Sequence, residues 1–311
     1  MNFQVTSVQV GILGIVMLLG YISAKTGYVS ADNKNAISKV IVKIILPCLI
    51  ISSISGKDLQ NESLTDIFTV IILSLLCLFV LFGLGVLITK ILKLSGGTKT
   101  VHKMLSSTGN VIFLGYPIIN AVYGEEGIFY AIIYWLLNDL FLWTVGVFLF
   151  AKDKKEESGG LLKRLLNPNT VSFLVAVLML IFGIKLPPVI RPAVEGVGSL
   201  TTYLSMIFIG MALSTVDLKG VFKNKGIFVI MAVKQIVMPV LFILLFKWLN
   251  IDALILGVVV LQSAMPAQTV LTILANEYSS DFEYAALGMF ITTVASLFTL
   301  PLVCYFIQIL L

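Results

Sequence analysis

Long apolar stretches recur along almost the whole chain, and the short segments between them hold most of the charged residues. Each stretch has roughly the 20 predominantly apolar residues that a membrane-spanning helix needs. The pattern predicts an all-α polytopic membrane protein with ten transmembrane helices. The predicted spans are residues 5–24, 34–54, 65–92, 101–123, 126–150, 169–185, 193–215, 225–248, 252–276 and 283–310.

The composition excludes a soluble protein with a large core. The chain is 59% hydrophobic and 12% charged, with a mean hydropathy of +1.05, whereas soluble domains average about 45–50% apolar and 25% charged residues. The net charge of +5 does not indicate a nucleic-acid partner, because the basic residues cluster between the spans. The N-terminal stretch lacks a basic region and a small-residue cleavage site, which favours a retained first span over a signal peptide.

The basic residues also predict the orientation in the membrane. With both termini outside, sixteen of the 21 lysines and arginines flank the cytoplasmic ends of the spans, four lie outside, and Lys234 falls within a span. Such a split is a strong positive-inside signal. We therefore expect a multi-pass protein of the cell membrane, plasma or inner, with both termini extracytoplasmic.

One charged segment divides the chain into two halves of five predicted spans each. Residues 151–168, "AKDKKEESGGLLKRLLNP", form a cytoplasmic linker between residues 1–150 and residues 169–311. Because each half has an odd number of spans, the second half enters the membrane inverted relative to the first. Two inverted five-helix repeats are typical of transporters whose binding sites form at broken helices near the bilayer midplane.

The fourth and ninth predicted spans, which correspond in the two halves, both carry a proline near polar residues. "GNVIFLGYPIINAVYGEEG" at 109–127 contains Asn110 and Pro117, and "LQSAMPAQTVLTILANEYSSD" at 261–281 contains Pro266. A proline removes a backbone donor and clashes with the preceding turn. Irregular backbone at membrane depth is tolerated only inside protein or beside a water-filled cavity. The polar neighbours of Pro266 are Gln262, Ser263 and Gln268.

We expect the two breaks to cross at mid-membrane, because the two spans run in opposite directions. Half-helices that restart after each proline would direct two positive N-terminal ends at one point, which suits a carboxylate. The candidate substrate-binding residues are Asn110, Pro117, Gln262, Ser263, Pro266 and Gln268. The alternative is that each proline only kinks its helix for packing, which we expect for Pro47 and Pro239.

Several segments in this order and spacing resemble the auxin efflux carrier family. They are "GYISAKTGYVSADNKNAISKVIVKIILPCLIISSISG", "STGNVIFLGYPIINAVYGEEG", "LLNPNTVSFLVAVLMLIFGIKLPP", "YLSMIFIGMALS" and "LQSAMPAQTVLTILANEY". The family includes plant auxin carriers and bacterial permeases for malate and other organic acids. The resemblance runs through nearly the whole chain.

The resemblance implies how the ten helices are divided. Helices 1, 2, 6 and 7 would form a scaffold that makes a homodimer, and helices 3–5 and 8–10 would form a mobile transport domain of the elevator type. The chain lacks the long central cytoplasmic loop of the canal-type plant carriers. Glycines 196, 198 and 210 in the seventh span suit either a dimer seam or packing within one chain.

Two charged residues fall near the centres of spans, where an unpaired charge costs several kcal/mol. They are Asp139 in span five and Lys234 in span eight. A pair between them is either a structural ion pair or a coupling site, in which proton or cation occupancy sets the charge that crosses the membrane. Asn138 and Thr108, together with Asp139, are candidate ligands for Na⁺, and we expect no other metal and no cofactor. His102, the single histidine, is expected to be a solvated residue at a helix start.

These features predict a secondary transporter for a small organic anion, with malate or another carboxylate as substrate and H⁺ or Na⁺ as coupling ion. An auxin-like indole acid, or a cation/proton antiporter with the same crossed helices, is the alternative. The sequence has no HExxH, GxSxG or phosphate-binding GxxxxGK[ST] motif, and so neither an enzyme nor an ATP-driven pump is expected.

Overall fold

The computed structural model describes residues 3–55, 64–154, 168–216 and 224–311. These residues are helical, and no β-strand occurs among them except one isolated bridge. The predicted all-α class is therefore confirmed. The first four residues of the predicted linker are helical, because the preceding helix extends to Lys154, and residues 155–167 of the linker lie outside the described residues.

Eleven helices follow one another along the described residues, some built from consecutive segments. We number them α1 (Phe3–Lys25), α2 (Lys34–Val40, Ile41–Ile45 and Leu46–Ser55), α3 (Leu64–Ile91), α4 (Gly96–Ser107), α5 (Gly115–Phe141, Leu142–Gly146 and Val147–Lys154), α6 (Pro168–Ile181), α7 (Ile190–Ser199 and Thr201–Ser214), α8 (Lys225–Ala232, Val233–Val237 and Met238–Phe246), α9 (Ala253–Ser263), α10 (Val270–Glu277) and α11 (Phe282–Leu310).

Six helical stretches in the described residues are long and apolar enough to cross a membrane: Ala36–Ile54, Leu64–Ile91, Gly115–Lys152, Ile190–Ser214, Lys225–Leu249 and Phe282–Leu310. Three shorter apolar helices are Val10–Lys25, Pro168–Ile181 and Ala253–Ser263. Within Gly115–Lys152, Gly124 has a φ of 64° and interrupts the helical backbone. This interruption coincides with the predicted boundary between the fourth and fifth spans.

Two groups of helices pack mainly among themselves. In the first group α1 runs along α7, and α2 packs against α6 and α7. In the second group α3 packs against α4 and α5, α5 against α9, and α11 against α8 and α10. The groups meet where α11 and α5 contact α1.

The helix pair α1 and α7 crosses at glycines. A Cβ on Gly20 would overlap the backbone of Ile207, and a Cβ on Gly210 would overlap the backbone of Met17. Gly198 likewise lies against the backbone of Leu49. Gly198 and Gly210 therefore serve packing within the chain, one of the two roles considered for them.

Pro47 and Pro239 lie inside continuous helices, each just after a wide π-helical turn. The turn Ile41–Ile45 precedes Pro47, and the turn Val233–Val237 precedes Pro239. Such turns widen the helix and accommodate the missing donor of a proline. The second of these turns also positions Lys234.

Candidate functional site at the crossing of two broken helices

The backbone breaks within both predicted segments, and the two breaks meet. Helix α4 ends at Ser107 and α5 begins at Gly115, while α9 ends at Ser263 and α10 begins at Val270. Gly109 and Ala267 form an isolated antiparallel bridge. The amide of Asn110 donates to the carbonyl of Pro266 at 2.7 Å. The two non-helical segments therefore cross in direct backbone contact.

The position of the first break differs from the prediction. Pro266 lies within the second break, as expected, but Pro117 is the third residue of α5 and follows the first break. A proline is tolerated in the first turn of a helix because that turn has no intrahelical acceptor for its amide. Pro117 therefore belongs to the restarting helix, and the unwound residues are 108–114.

Each crossing segment is held by one polar side chain from a helix that comes later in the same half of the chain. The amide of Gly109 donates to Asn138 Oδ1 at 3.0 Å, and Asn138 Nδ2 lies 3.5 Å from the Gly109 carbonyl. In the other half, the amide of Ala267 donates to Thr292 Oγ1, also at 3.0 Å. Asn138 on α5 and Thr292 on α11 thus hold the two partners of the bridge in matching ways. The buried peptide groups of the crossing require such partners.

Lys234 reaches the crossing, but it does not pair with Asp139. Its ammonium donates to the carbonyl of Thr108 at 2.6 Å and to that of Leu105 at 3.1 Å. Among the described residues no ion pair joins it to Asp139, so the predicted pair is wrong. The partners of the ammonium are backbone carbonyls at the C-terminal end of α4, where the helix dipole favours a cation.

Asp139 lies on the wall of a cavity of about 330 Å³. Its carboxylate is within electrostatic reach of the indole N–H groups of Trp135 and Trp143. The cavity lies where the crossing faces α2 and α6. Its lining residues are Val42, Leu46, Asn110, Val111, Ile112, Phe113, Trp135, Asp139, Trp143, Asn169, Gln268, Thr269 and Val270.

Two buried donors on this wall make no hydrogen bond within 3.5 Å in the described part of the chain, although the first lies within reach of the Asp139 carboxylate. They are Trp135 Nε1 and Gln268 Nε2. Trp135 is 4% exposed and Gln268 is 7% exposed, so neither side chain has ready access to bulk water. The N-terminal end of α10, at Val270, lies on the same wall. These groups together make a small site that offers donors and positive helix-end charge to an acceptor.

Two further predicted substrate residues, Gln262 and Ser263, do not line this cavity. Gln262 Nε2 is 3.5 Å from the carbonyl of Val111, and Ser263 Oγ donates to the carbonyl of Val260 at 2.7 Å. Both side chains are buried. The structure thus brings Asn110, Asp139 and Gln268 together at the cavity, while Gln262 and Ser263 contact the backbone around the crossing.

The hydroxyl group of Thr108, a candidate Na⁺ ligand, donates to the backbone of the preceding helix, as do those of its neighbours Ser106 and Ser107. Ser106, Ser107 and Thr108 donate to carbonyls of residues 102–104 at 2.8–3.0 Å. Asn138 Oδ1 is bound to Gly109. Of the three candidate ligands, Asp139 is the one that faces the cavity.

His102 is buried, contrary to the prediction of a solvated residue. Its side chain is 0% exposed, and its Nδ1 lies 2.8 Å from Tyr284 Oη. The tyrosine comes from α11, whose first turn packs against α4. The sequence around His102 did not indicate its contact with Tyr284, which lies far away along the chain.

Further cavities lie on both sides of the crossing cavity. A larger cavity of about 910 Å³ lies between α7, α10 and α11, and it shares Thr269 with the crossing cavity. On the opposite side are a small space of about 20 Å³, lined by Ile50 and Tyr116, and a polar cavity of about 300 Å³ lined by Glu125 and Arg191, which also has Tyr116 on its wall. The space beside α2 is therefore narrow on one side of the crossing and wide on the other.

Three residues of the candidate site escaped the sequence analysis. Thr292 and Gln235 are polar residues in apolar helices, where they give no periodic signal, yet Gln235 Nε2 donates to the carbonyl of Thr292 at 2.8 Å. Trp143 lies one helical turn beyond Asp139, which is a spacing that could have indicated its proximity.

The sequence was compared with known proteins. A profile of the family described as membrane transport protein matches residues 5–304. An uncharacterized transporter of Methanocaldococcus jannaschii is 28% identical over 93% of this chain and 94% of its own length. An uncharacterized transporter of Methanothermobacter thermautotrophicus is 24% identical over the same shares, and the uncharacterized transporter YfdV of Escherichia coli K12 is 22% identical over 94% of each chain. These matches cover nearly every described helix and confirm the resemblance drawn from the sequence segments. The chain belongs to the membrane transport protein family, that of the auxin efflux carriers, and is a multi-pass membrane transporter.

Proposed function

We propose that the protein is a secondary carrier for a small organic anion with a carboxylate, and that the crossing cavity is its binding site. The observation that carries this proposal is Gln268 Nε2, a buried donor on the cavity wall without a partner in the described residues. Beside it on the wall is Trp135 Nε1, whose N–H lies within reach of the Asp139 carboxylate. A buried donor without an acceptor costs about 1–3 kcal/mol. A carboxylate supplies strong acceptors for such donors, and the N-terminal end of α10 favours its charge.

The cavity lining favours a single carboxylate attached to an apolar body. Phe113, Trp135 and Trp143 contribute aromatic surface, and most of the remaining lining is aliphatic. The second carboxylate of malate would lose its hydration against these side chains and lie near the carboxylate of Asp139. The lining therefore favours an indole acid or a similar apolar monocarboxylate over malate as the substrate.

We infer an elevator mechanism from the two groups of helices. Helices α1, α2, α6 and α7 would be the scaffold, and the other helices would carry the crossing through the membrane. Counting α4 with the first part of α5, and α9 with α10, as one broken span each gives ten passes in two inverted repeats. The matching positions of Asn138 and Thr292, each in the helix after a broken span, support this relation.

The wide cavity supports a conformation open to the cytoplasm. It extends to Asn276 and Glu283, which lie at the cytoplasmic end in the orientation predicted from the basic residues. In that orientation both termini are extracytoplasmic, and the membrane would be the plasma or inner membrane. A homodimer through the scaffold, and coupling to H⁺ or Na⁺ through Asp139, complete the proposal.

The test is transport by the purified protein in liposomes. Labelled malate and labelled indole-3-acetate would be offered under imposed pH, Na⁺ and voltage gradients, with tryptamine as a competitor that keeps the ring but lacks the carboxylate. We expect carboxylate uptake above that of protein-free liposomes, and we expect competition by unlabelled carboxylates but not by tryptamine. Exchange of cations for protons without any carboxylate flux would contradict the proposal in favour of the antiporter.

A further inference from the structure

Lys234 is the most deeply buried cation for which the structure describes the surroundings. Its side chain is 1% exposed, and the π-helical turn Val233–Val237 of α8 directs it to the end of α4. Its hydrogen bonds go to the carbonyls of Leu105 and Thr108. A charge at this depth needs compensation, and here the compensation comes from backbone oxygen rather than from a carboxylate.

The end of α4 is organised so that these two carbonyls are left for the ammonium. The last carbonyls of a helix have no intrahelical donor. The carbonyls of His102, Lys103 and Met104 accept the hydroxyls of the three residues Ser106, Ser107 and Thr108. Asn138 Nδ2 lies beside the carbonyl of Gly109, the next residue of the break. The carbonyls of Leu105 and Thr108 therefore face Lys234, with the negative end of the α4 dipole behind them.

Carbonyls at the C-terminal end of a broken membrane helix are also the ligands that bind Na⁺ in carriers with broken helices. The ammonium of Lys234 thus occupies a place with the chemistry of a monovalent-cation site. A lysine ammonium is a compact point charge with three donors, which is suitable for replacing a small bound cation.

We propose that Lys234 is a tethered cation that fills a monovalent-cation site at the crossing. The crossing then needs no bound Na⁺ to hold its unwound backbone. The fixed positive charge also compensates one negative charge on the substrate, a consequence that rests on the proposed carboxylate transport. Lys234 is accordingly a positioning residue for the crossing and not a group that touches the substrate.

The test removes the tether and supplies free cations. The Lys234→Ala protein would be purified in detergent, and its unfolding temperature would be measured in methylammonium, sodium and choline chloride at equal ionic strength. We expect a lower unfolding temperature than that of the wild type, recovered by about 3 °C in saturable methylammonium or sodium but not in choline. Ile230→Ala is the matched control, because Ile230 lies one turn earlier on α8 and is equally buried. Neither that variant nor the wild type should respond to the identity of the cation.

Two outcomes would overturn the proposal. One is an unfolding temperature of Lys234→Ala that is the same in all three salts. The other is a saturable sodium requirement for the stability of the Asp139→Asn protein, which keeps Lys234 and lacks the carboxylate proposed for coupling. Because the unfolding assay uses no carboxylate, cation rescue in a protein that transports no carboxylate would refute the proposed substrate and leave the role of Lys234 intact. Carboxylate uptake without cation rescue would do the reverse.

Discussion

The two broken segments that cross in this protein differ in what satisfies them. Residues 108–114 are bound by Lys234, Asn138 and the backbone of the second break, so their polar groups are largely occupied. Residues 264–269 form a shorter segment that contains Pro266 and Gln268, and Gln268 Nε2 has no partner in the described residues. The comparison suggests that the first break is held in place by its hydrogen bonds, whereas the second break has a donor left for a ligand.

The largest expected effect comes from replacing Asp139, the carboxylate beside the first break. Asp139→Asn should reduce gradient-driven uptake to the level of protein-free liposomes, because an amide cannot exchange a proton or bind a cation by charge. Exchange of labelled for unlabelled substrate across the membrane should persist. Uptake would be measured under imposed pH and Na⁺ gradients.

Asp139→Glu is the control, since it keeps the carboxylate. Gradient dependence of Asp139→Asn equal to that of the wild type would remove Asp139 from the coupling step.

The side chains that hold the two strands of the bridge provide the next comparison. Asn138→Leu leaves both polar groups of Gly109 without their partner and should lower the free energy of unfolding by about 2–4 kcal/mol. Thr292→Val removes one acceptor at nearly constant volume and should cost about 1–2 kcal/mol. Thermal unfolding in detergent would measure both.

Thr293→Val is the matched control for these two variants. Thr293 is adjacent and buried, and its hydroxyl has no partner in the described residues, so its loss should be neutral or slightly stabilising. An equal loss of stability in Thr292→Val and Thr293→Val would mean that the bond to Ala267 contributes nothing.

The buried donors on the cavity wall predict a third effect, on affinity rather than on stability. Trp135→Phe keeps an aromatic ring and removes Nε1, so the apparent affinity for the carboxylate should fall about tenfold, as expected for a lost hydrogen bond to a charged group. Inhibition of uptake by unlabelled substrate would measure it. Gln268→Leu should act in the same direction. If Trp135→Phe binds as tightly as the wild type, Nε1 does not contact the ligand.

The smallest expected effect concerns the bridge itself. A Cβ on Gly109 would lie 3.1 Å from Met265 Cβ and 3.2 Å from the Met265 carbonyl, which is closer than ordinary van der Waals contact. Gly109→Ala should therefore lower the free energy of unfolding by about 1 kcal/mol, again measured by thermal unfolding. The opposite strand already carries a Cβ at Ala267. An unchanged unfolding temperature would show that the strands can separate slightly without loss.

The sequence predicted the helical class and both breaks because apolar length and proline are local signals. The extent of the first break was mispredicted because Pro117 fits the first turn of a helix as well as it fits a break. The partner of Lys234 escaped prediction for a different reason, since the expected partner was a carboxylate and backbone carbonyls leave no mark in a sequence. Thr292 was missed because a threonine in an apolar helix usually bonds only to its own helix, and Thr292 Oγ1 does donate to the carbonyl of Gly288 as well.

The glycine contacts between α1 and α7 limit which parts of the molecule can slide. At Gly20 and Gly210 the two backbones touch with no side chain between them, so this pair has no deformable layer along which one helix could shift past the other. Relative motion is then expected along the cavity-lined boundary that follows α2, where side chains rather than main chains meet. A larger residue at Gly210 should consequently disturb the packing of α1 against α7 before it changes the rate of transport.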